Sequence, residues 1–460
     1  MIIITTETRL DMRRSPDIIA YAKDYRTDFG KVERYVWRRI IQSKGKIDRS
    51  KLNTEIQKTF GVTKRTANSA ISDMIGRYNA LKELKQTELS QMQYKTDALE
   101  DKIIKLSKSV DKLSKQASCN QLSEEQLTSY RNKKKSLFYK KQRLQKLKDR
   151  HAQLAKDISN GDYRMSFGGR KNFDNQYRLA ENGFRSHEGW HNDFAKRRDA
   201  NIYYLGSKDE SCGNQMFHLE SNSDGSFTIK IRKDGKYVDS TKYVYGKCTF
   251  SYMTDELKHI VTGGKQAIHY RLKLRGTKVY LQAIFTLNTE KIPNVTRYTD
   301  GCIGLDFNDG HIELAETDAK GNLINLKTYP LQFHGTGGKA ENEMRTVISD
   351  IGKYARMCGK DIVKEDLSFV KKKSGTTQAK SKSGKNYNRM IHTLEYRRYE
   401  DALNNMTARY GIRLTEVNPA YTSKIAKQKY CSQKKLTAHS GAAYVIARRG
   451  QGYTDTYIAV

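Results

Sequence analysis

Residues 301–324 decide the fold, and they read GCIGLDFNDGHIELAETDAKGNLI. An apolar strand ends in Asp306, and the Asn-Asp-Gly triplet at 308–310 is typical of a tight turn between two strands. A second strand follows, and residues 318–322 predict another turn. The stretch therefore predicts a β-hairpin whose first strand ends in a carboxylate.

Two adjacent carboxylates stand at the end of another short strand. Residues 360–369 read KDIVKEDLSF, an apolar strand that ends in Glu365 and Asp366. Carboxylates on adjacent strand ends can hold Mg²⁺ ions about 3.5–4 Å apart, one activating water and one stabilising the leaving oxygen of a phosphodiester. An Asp before a turn is also an ordinary turn former, so that alternative stays open for Asp306.

The charge balance indicates a polyanionic partner. The 460 residues include 85 Lys and Arg against 51 Asp and Glu, a formal net charge of +34. A folded chain with that self-repulsion is expected to bind nucleic acid, although a solvated basic surface without a specific partner is the alternative. A hydrophobic content of 37% excludes a disordered protein. We expect no membrane partner, because no apolar stretch of about 20 residues occurs.

The cysteines indicate a reducing compartment. All six are scattered singly without CxxC pairs, and no signal peptide precedes them. We therefore expect reduced thiols, no structural zinc and a cytoplasmic protein.

Residues 13–160 predict a helical region that contains a long hairpin. Apolar residues recur about every 3.5 positions on both sides of a turn near residues 118–121. The second arm is strongly basic, and the same count places Lys134 and Lys141 on its apolar seam. A phosphate-facing surface and a solvated helix face both explain this charge. The candidate nucleic-acid contacts here are Arg131, Lys133, Lys134, Lys135, Lys140 and Lys141.

Three further segments bear on nucleic-acid binding. Residues 48–78 look like helix, turn, helix, which fits either a DNA-reading motif or ordinary bundle helices. Residues 161–200 read as a long connecting stretch with basic and aromatic residues interleaved, in which Arg170 and Lys171 are candidate contacts. Residues 371–385 hold six lysines and no acid among Ser, Gly and Thr. These candidate contacts are Lys371, Lys372, Lys373, Lys380, Lys382 and Lys385.

Between residues 201 and 287 the apolar period changes to two. Strand-like runs such as SFTIKIR and KVYLQAIFTL alternate with turns, which predicts an antiparallel β-domain. The chain as a whole is therefore expected to be a multidomain α+β protein.

The order and spacing of these pieces resemble the TnpB and compact type V CRISPR effector family. Residues 304–324 are similar to its first RuvC motif, IVKEDL at 362–367 to the second, and residues 387–424 to the helix, strand and PA-x-TS segment that leads to the third. The resemblance is specific over residues 295–449 and architectural over the rest.

This resemblance implies four regions. Residues 1–12 are the first strand of a barrel-like β wedge domain, and 13–160 form a helical recognition lobe. Residues 161–295 contain a linker and the rest of the wedge, and 296–460 form an RNase H-like, RuvC-type nuclease domain. The implied partners are a structured guide RNA and double-stranded target DNA, bound by a monomer or a homodimer. The guide originates from either a transposon end or a CRISPR array. The resemblance also implies a prokaryotic protein that is associated with the nucleoid when it is bound to DNA.

The implied activity is cleavage of DNA complementary to the guide, next to a short flanking motif, with Mg²⁺ or Mn²⁺. Asp306, Glu365 and His439 are the implied catalytic residues and metal ligands. Two features depart from the family. The zinc ribbon is lost or reduced to a zinc-free loop around Cys431, and His439 stands where the third motif has an Asp.

His439 leaves its role open, since a His at a helix start is often a capping or packing residue, whereas neutral imidazole also ligates divalent cations. Asp455 replaces the missing Asp only if the chain breaks at Gly450 or Gly452. Two rival functions follow, a nuclease-inactive RNA-guided repressor and a protein-only helix-turn-helix DNA-binding regulator.

Overall fold

The computed structural model describes residues 2–119, 121–263, 266–288, 292–308, 310–331, 337–366 and 394–458. The chain divides into two compact units, Ile3–Thr286 and Met1–Ile2 with Leu287–Val460. The six lysines at 371–385 that are predicted nucleic-acid contacts lie outside the described residues. Residue 367, which follows Asp366, lies outside them as well. Over the described ranges, the structure has no helix with the length and apolar character needed to span a bilayer.

The larger unit begins with a strand and four long helices. In chain order these are β1 (Ile2–Arg9), α1 (Pro16–Gln42), α2 (Arg49–Phe60), α3 (Lys64–Ser118) and α4 (Glu124–Asn160). Gly61 ends α2 in the left-handed conformation, which a residue without Cβ adopts freely. Ser123 and Gln126 form a capping box at the start of α4. The predicted hairpin is confirmed, with α3 and α4 as its arms.

The seam of the hairpin differs from the prediction in one respect. On α3 the predicted seam residues Met92, Leu99, Ile103 and Val110 are buried. On α4 Lys134 and Lys141 are exposed, so their predicted seam positions are wrong. Lys133 and Lys140, one residue earlier, are partly buried instead.

Residues 161–200 contain more structure than a connecting stretch. Helices α5 (Arg170–Asp174) and α6 (His187–Arg198) lie here. Trp190 of α6 is buried, stacks on Phe194 at 5.4 Å and donates its indole N–H to the carbonyl of Asn172 at 2.9 Å. Burial of the aromatic residues explains why this Gly- and Arg-rich segment folds.

The predicted antiparallel β-region is confirmed, but it forms two open sheets among the described strands. One has the order β1-β7-β6-β2 and the other β3-β4-β5. A closed barrel is therefore not confirmed. The elements are β2 (Asn201–Tyr204), β3 (Phe217–Ser221), β4 (Phe227–Arg232), β5 (Tyr243–Cys248), α7 (Thr254–Gly263), β6 (His269–Arg275) and β7 (Lys278–Leu287).

The smaller unit is built on a five-stranded mixed sheet of order β10-β9-β8-β11-β12. Its strands are β8 (Cys302–Asn308), β9 (His311–Thr317), β10 (Leu323–Pro330), β11 (Asp361–Glu365) and β12 (Leu414–Val417). Strands β8, β9 and β10 pair antiparallel, as the turns at 308–310 and 318–322 predict. Strand β11 pairs parallel with both β8 and β12.

Helices cover both faces of this sheet. They are α8 (Gly337–Cys358), α9 (Leu394–Tyr410), α10 (Thr422–Ile425), α11 (Ser432–Lys434) and α12 (Ala438–Gly450), with a π-helix at Ala426–Cys431. Leu305 and Phe307 belong to a core with residues of α8 and α9, whereas Val363 packs against Ile446 of α12. The side chains of β8 and β11 alternate between the two faces.

Candidate active site

Asp306 of β8 and Glu365 of β11 lie on neighbouring strands and on one face of the sheet. The parallel register pairs Leu305 with Lys364, so the next residue on each strand is Asp306 on β8 and Glu365 on β11. Alternation places both carboxylates on the face that α12 covers, since Leu305 belongs to the opposite core. The two predicted carboxylates are thus neighbours in the structure. Glu365 ends β11 as predicted, whereas β8 continues past Asp306 to Asn308, because residues 307 and 308 still pair with β9. Their metal-binding role remains a prediction.

Asp306 is nearly buried and held by its own hairpin. Its carboxylate Oδ2 accepts a hydrogen bond from the Asn308 amide at 2.9 Å, and only 11% of the side chain is exposed. Across the hairpin Asp306 is paired with Glu313, whose carboxylate accepts hydrogen bonds from Thr328 at 3.0 Å. Two acidic side chains therefore share this part of the sheet.

Glu365 is held from the segment after β12. The Thr422 hydroxyl donates to Glu365 Oε1 at 2.7 Å. On the opposite face of β11, buried Lys364 contacts Glu416 at 2.8 Å and Glu400 at 3.4 Å. Burial raises the pKa of Tyr399, and the nearby charges of Asp306 and Glu365 raise it further.

His439 lies in the first turn of α12, where the sequence predicted a helix start. Thr437 and Ser440 form the capping box of that helix, so His439 is not the capping residue. Its Nδ1 lies 3.4 Å from Asp306 Oδ2, and 52% of its side chain is exposed. The hydrogen bond to Asp306 raises the pKa of His439. The third candidate residue therefore reaches Asp306 directly.

The three candidates do not gather into one closed ligand set. Among the residues that the structure describes, no group of three His, Cys, Asp or Glu side chains is placed to hold one metal ion. Asp455 does not fill the gap. The chain does break after Gly450, but Asp455 accepts hydrogen bonds from Tyr430 and Arg448, at 2.8 Å each. Asp455 is thereby committed to the C-terminal part of α12.

Sequence reasoning missed three neighbours of the candidate site. Glu313 was predictable, because a tight turn at 308–310 that pairs Asn308 with His311 necessarily pairs Asp306 with Glu313. His311 follows from the same register, and its ring meets that of His439 edge-on at 5.3 Å. No local pattern identifies Thr422, since its contact with Glu365 depends on how the segment after β12 returns to the sheet.

The hairpin of the larger unit presents a basic surface. A groove of about 820 Å³ between α3 and α4 is lined by four lysines together with serine and asparagine side chains. The lysines are Lys102, Lys105, Lys133 and Lys140. Arg131, Lys134, Lys135 and Lys141 are exposed on α4, next to Phe138 and Tyr139, each 57% exposed. Basic and aromatic side chains together suit a nucleic-acid strand.

The other candidate contacts lie elsewhere in the larger unit. Arg170 and Lys171 are exposed at the start of α5, where Arg170 lies 3.7 Å from Asp174. The segment 48–78 folds as helix, turn, helix, as predicted. However, the start of α3 is engaged inside the unit, because the Thr63 amide donates to Asp234 at 2.8 Å. Arg65, in the first turn of α3, pairs with Glu210.

Several solved structures align with this chain, and two of these alignments are distant. No protein-family model matches this sequence, and no curated protein matches it. A Cas12f1-sgRNA-target DNA complex aligns with 50% of this chain and 68% of its own chain at a TM-score of 0.24 and 13% identity. An AacC2c1-sgRNA binary complex aligns with 81% of this chain and 50% of its own chain at a TM-score of 0.25 and 10% identity. Alignments at these scores do not establish a common fold.

Proposed function

We propose that this chain is an RNA-guided DNA endonuclease of the TnpB and type V effector kind, with an RNase H-like nuclease domain in the smaller unit. One observation carries the proposal. Asp306 and Glu365 lie side by side on neighbouring parallel strands and on one sheet face, and the first turn of α12 brings His439 against Asp306. The sheet order, with an antiparallel hairpin beside parallel strands, supports the RNase H-like assignment.

The donor set fits a hard divalent cation in part. Carboxylate oxygens are the ligands that Mg²⁺ prefers, and Asp306 and Glu365 supply them side by side. Both have neighbours that fix their orientation, Asn308 for Asp306 and Thr422 for Glu365. The imidazole of His439 could act as a third ligand only through a ring nitrogen that carries no proton, and its Nδ1 lies against Asp306. Bound Mg²⁺ or Mn²⁺ would supply an activated water and stabilise the leaving oxygen.

The residues of the chain do the positioning. Asn308 and Thr422 each donate to one carboxylate, which fixes the orientation of that carboxylate. The fixed register of β8 and β11 sets the spacing of the two carboxylates, because backbone hydrogen bonds define it. His439 is the most exposed of the three candidates and lies on the first turn of its helix.

The nucleic-acid partners follow from charge and from the basic hairpin. A net charge of +34 and the lysine-lined groove between α3 and α4 suit an RNA and its DNA duplex partner. In such complexes base pairing supplies the sequence specificity, while the protein reads a short duplex motif and the A-form shape of the heteroduplex. Guide RNA and target DNA are therefore the proposed partners, in the cytoplasm.

A nuclease-inactive guided repressor is the second candidate function. It is favoured by the contact between His439 and Asp306 and by the lack of a gathered three-residue ligand set in the described ranges. The helix-turn-helix regulator is disfavoured. The first turn of its reading helix, α3, is engaged by Asp234 and Glu210 of the same unit, which leaves it poorly placed to enter a major groove.

The deciding experiment is purification of the full chain under a high-salt wash, followed by sequencing of any bound RNA and a cleavage assay. We expect an RNA of defined length, and cutting of a plasmid that carries a sequence complementary to its variable end. Target binding without cutting would favour the repressor. Protein free of RNA that binds a fixed duplex sequence would favour the regulator.

A further inference from the structure

Two tyrosines form a stacked aromatic pair close to Glu365. The rings of Tyr421 and Tyr457 lie 5.5 Å apart with an interplanar angle of 18°, and 57% of Tyr421 is exposed. Tyr421 directly precedes Thr422, whose hydroxyl holds Glu365. The ammonium of Lys424 lies 5.3 Å from one ring centre and 5.1 Å from the other. An exposed aromatic face and a cation thus stand one residue away from a group that positions a candidate metal ligand.

The backbone at Tyr421 supports a functional role for its side chain. Tyr421 has φ +63°, in the left-handed region that residues with a Cβ rarely adopt. Strained residues of this kind persist where the surrounding structure fixes them, and they cluster at functional sites. Arg449 fixes this segment by donating to the carbonyls of Asn418 and Ala420.

The ring of Tyr457 is also held in place by its neighbours. Tyr457 packs against a buried cluster that includes Ile425 and Val445. Its neighbour Ile458 forms two backbone hydrogen bonds with the side-chain amide of Gln428, at 3.0 and 3.1 Å. The pair is therefore a rigid surface, whose assembly requires two segments that are about 36 residues apart in sequence.

We propose that Tyr421 and Tyr457 form a stacking platform for an unpaired nucleobase next to the scissile phosphate, with Lys424 at the backbone phosphate of the same nucleotide. Every base has a π-face, so such a platform binds a single strand without reading its sequence. A duplex cannot use it, because its bases are already stacked on each other. The platform would therefore make the site selective for the unpaired strand, and this inference rests on the proposed nuclease function.

The test is single-turnover cleavage by the full guided complex, in which the guide fixes the register of the DNA strand. A single abasic nucleotide is moved stepwise past the scissile bond. We expect one position at which the wild type loses rate, by about 5- to 150-fold for one stacking contact. Tyr421→Leu should lose a similar factor on intact DNA, and the abasic nucleotide should then cost no further rate. Tyr421→Phe, which keeps the ring, should cut as the wild type does.

Tyr298→Leu is the matched control. Tyr298 is a 47% exposed tyrosine with Arg413 over its ring, and it precedes β8 at the other end of the strand from Asp306. This variant should keep the wild-type rate and the wild-type response to the abasic nucleotide. The proposal is overturned if Tyr421→Leu cuts as fast as Tyr298→Leu, or if its loss and the abasic loss multiply independently.

A second measurement keeps the platform testable if the chain does not cut DNA. Hexanucleotides with one 5-iodouracil, in DNA and RNA forms, are irradiated with the full chain and the adducts are mapped by mass spectrometry. An adduct on the peptide of Tyr421 or Tyr457, absent after Tyr421→Gly, supports the platform, and the two hexamers show which strand it takes. Glycine adopts the left-handed conformation without strain, so Tyr421→Gly should have an unchanged or higher Tm. Such a Tm shows that the adduct was lost because the ring is absent and not because the protein unfolded. Adducts that survive Tyr421→Gly overturn the proposal.

Discussion

The basic hairpin and the five-stranded sheet hold their polar side chains in opposite ways. On the sheet, Asp306 and Glu365 are oriented by neighbouring side chains and spaced by backbone register. On α4 the exposed lysines have few neighbours, and Leu154 is the only buried residue of that helix. In the proposed function, the sheet acts on a fixed group of atoms, whereas the hairpin offers a distributed charge that a polyanion neutralises.

This difference predicts how strongly a single substitution in each region should affect cleavage or nucleic-acid binding. At the sheet, one atom out of place removes the geometry, so single substitutions have large effects on chemistry. On the hairpin, charges act additively and at a distance, so single substitutions have small effects and sets of them change the salt dependence. The experiments below exploit that contrast, beginning with the largest expected effect.

Removing the carboxylate of either Asp306 or Glu365 should abolish cleavage. Asp306→Ala and Glu365→Ala each leave one carboxylate where two are needed for the metal ions, so no product should form in a single-turnover assay with Mg²⁺ or Mn²⁺. Guided binding to target DNA should persist, because it depends on the charged surface and on base pairing. Asp318→Ala is the control, since Asp318 only orders the turn before β10. Cleavage by either carboxylate variant would remove these residues from the chemistry.

The same substitution should have opposite effects on the two regions. A Cβ added at Gly304 collides with backbone atoms of Ala443 and Ala447 on α12, so Gly304→Ala should destabilise its unit by about 1–3 kcal/mol and disturb His439. Gly76 is an exposed residue inside α3, and an added Cβ there meets no atom within 4 Å. Gly76→Ala should stabilise its unit by about 0.5–1 kcal/mol.

Calorimetry of both glycine variants measures these shifts. The contrast between rigid sheet and open helix requires the signs to differ. Equal shifts for Gly304→Ala and Gly76→Ala would show that α12 adjusts to the sheet more easily than the close approach at Gly304 implies.

Neutralising exposed lysines on α4 should change the salt dependence and leave stability unchanged. We compare a triple Gln variant of exposed α4 lysines with a triple Gln variant of lysines that already pair with acids. The first set is Lys134, Lys135 and Lys141, and the second is Lys31, Lys85 and Lys148. The plot of log K against log salt for nucleic acid should become shallower by up to about 2.7 for the first set, at about 0.9 per phosphate. Equal slopes for both variants would show that the exposed lysines of α4 form a solvated helix face that does not contact phosphates.

Sequence patterns predicted most of the architecture because short-range rules govern it. The turn at 308–310, the start of α12 and the two arms of the hairpin all follow from turn chemistry, capping and periodicity. On α4 the apolar seam lies where it was predicted, but the lysines on the seam are Lys133 and Lys140 instead of Lys134 and Lys141. Lysine stems can line a seam with their ammonium groups in water, so Lys133 and Lys140 occupy positions that a purely apolar count assigns elsewhere.

The remainder of the site could not be predicted, since it depends on contacts between distant segments. Thr422 reaches Glu365 across 57 residues of chain, and Tyr421 adopts a conformation that its residue type disfavours. The helix α6 was missed for a similar reason, because burial of Trp190 outweighs the loop-like composition around it. Tertiary packing overrides local preference at these places.

The central claim is that the chain cuts DNA with His439 in the place of a third acidic residue. The most direct measurement is single-turnover cleavage of a guide-matched duplex by the wild type, His439→Ala and His439→Asp, in Mg²⁺ and in Mn²⁺. The wild type should cut, with a higher rate in Mn²⁺, which accepts imidazole more readily. His439→Ala should cut much more slowly, and His439→Asp should retain or raise the rate. A wild type that binds its target without cutting in either metal, beside a His439→Asp variant that cuts, would contradict the claim and establish a guided repressor.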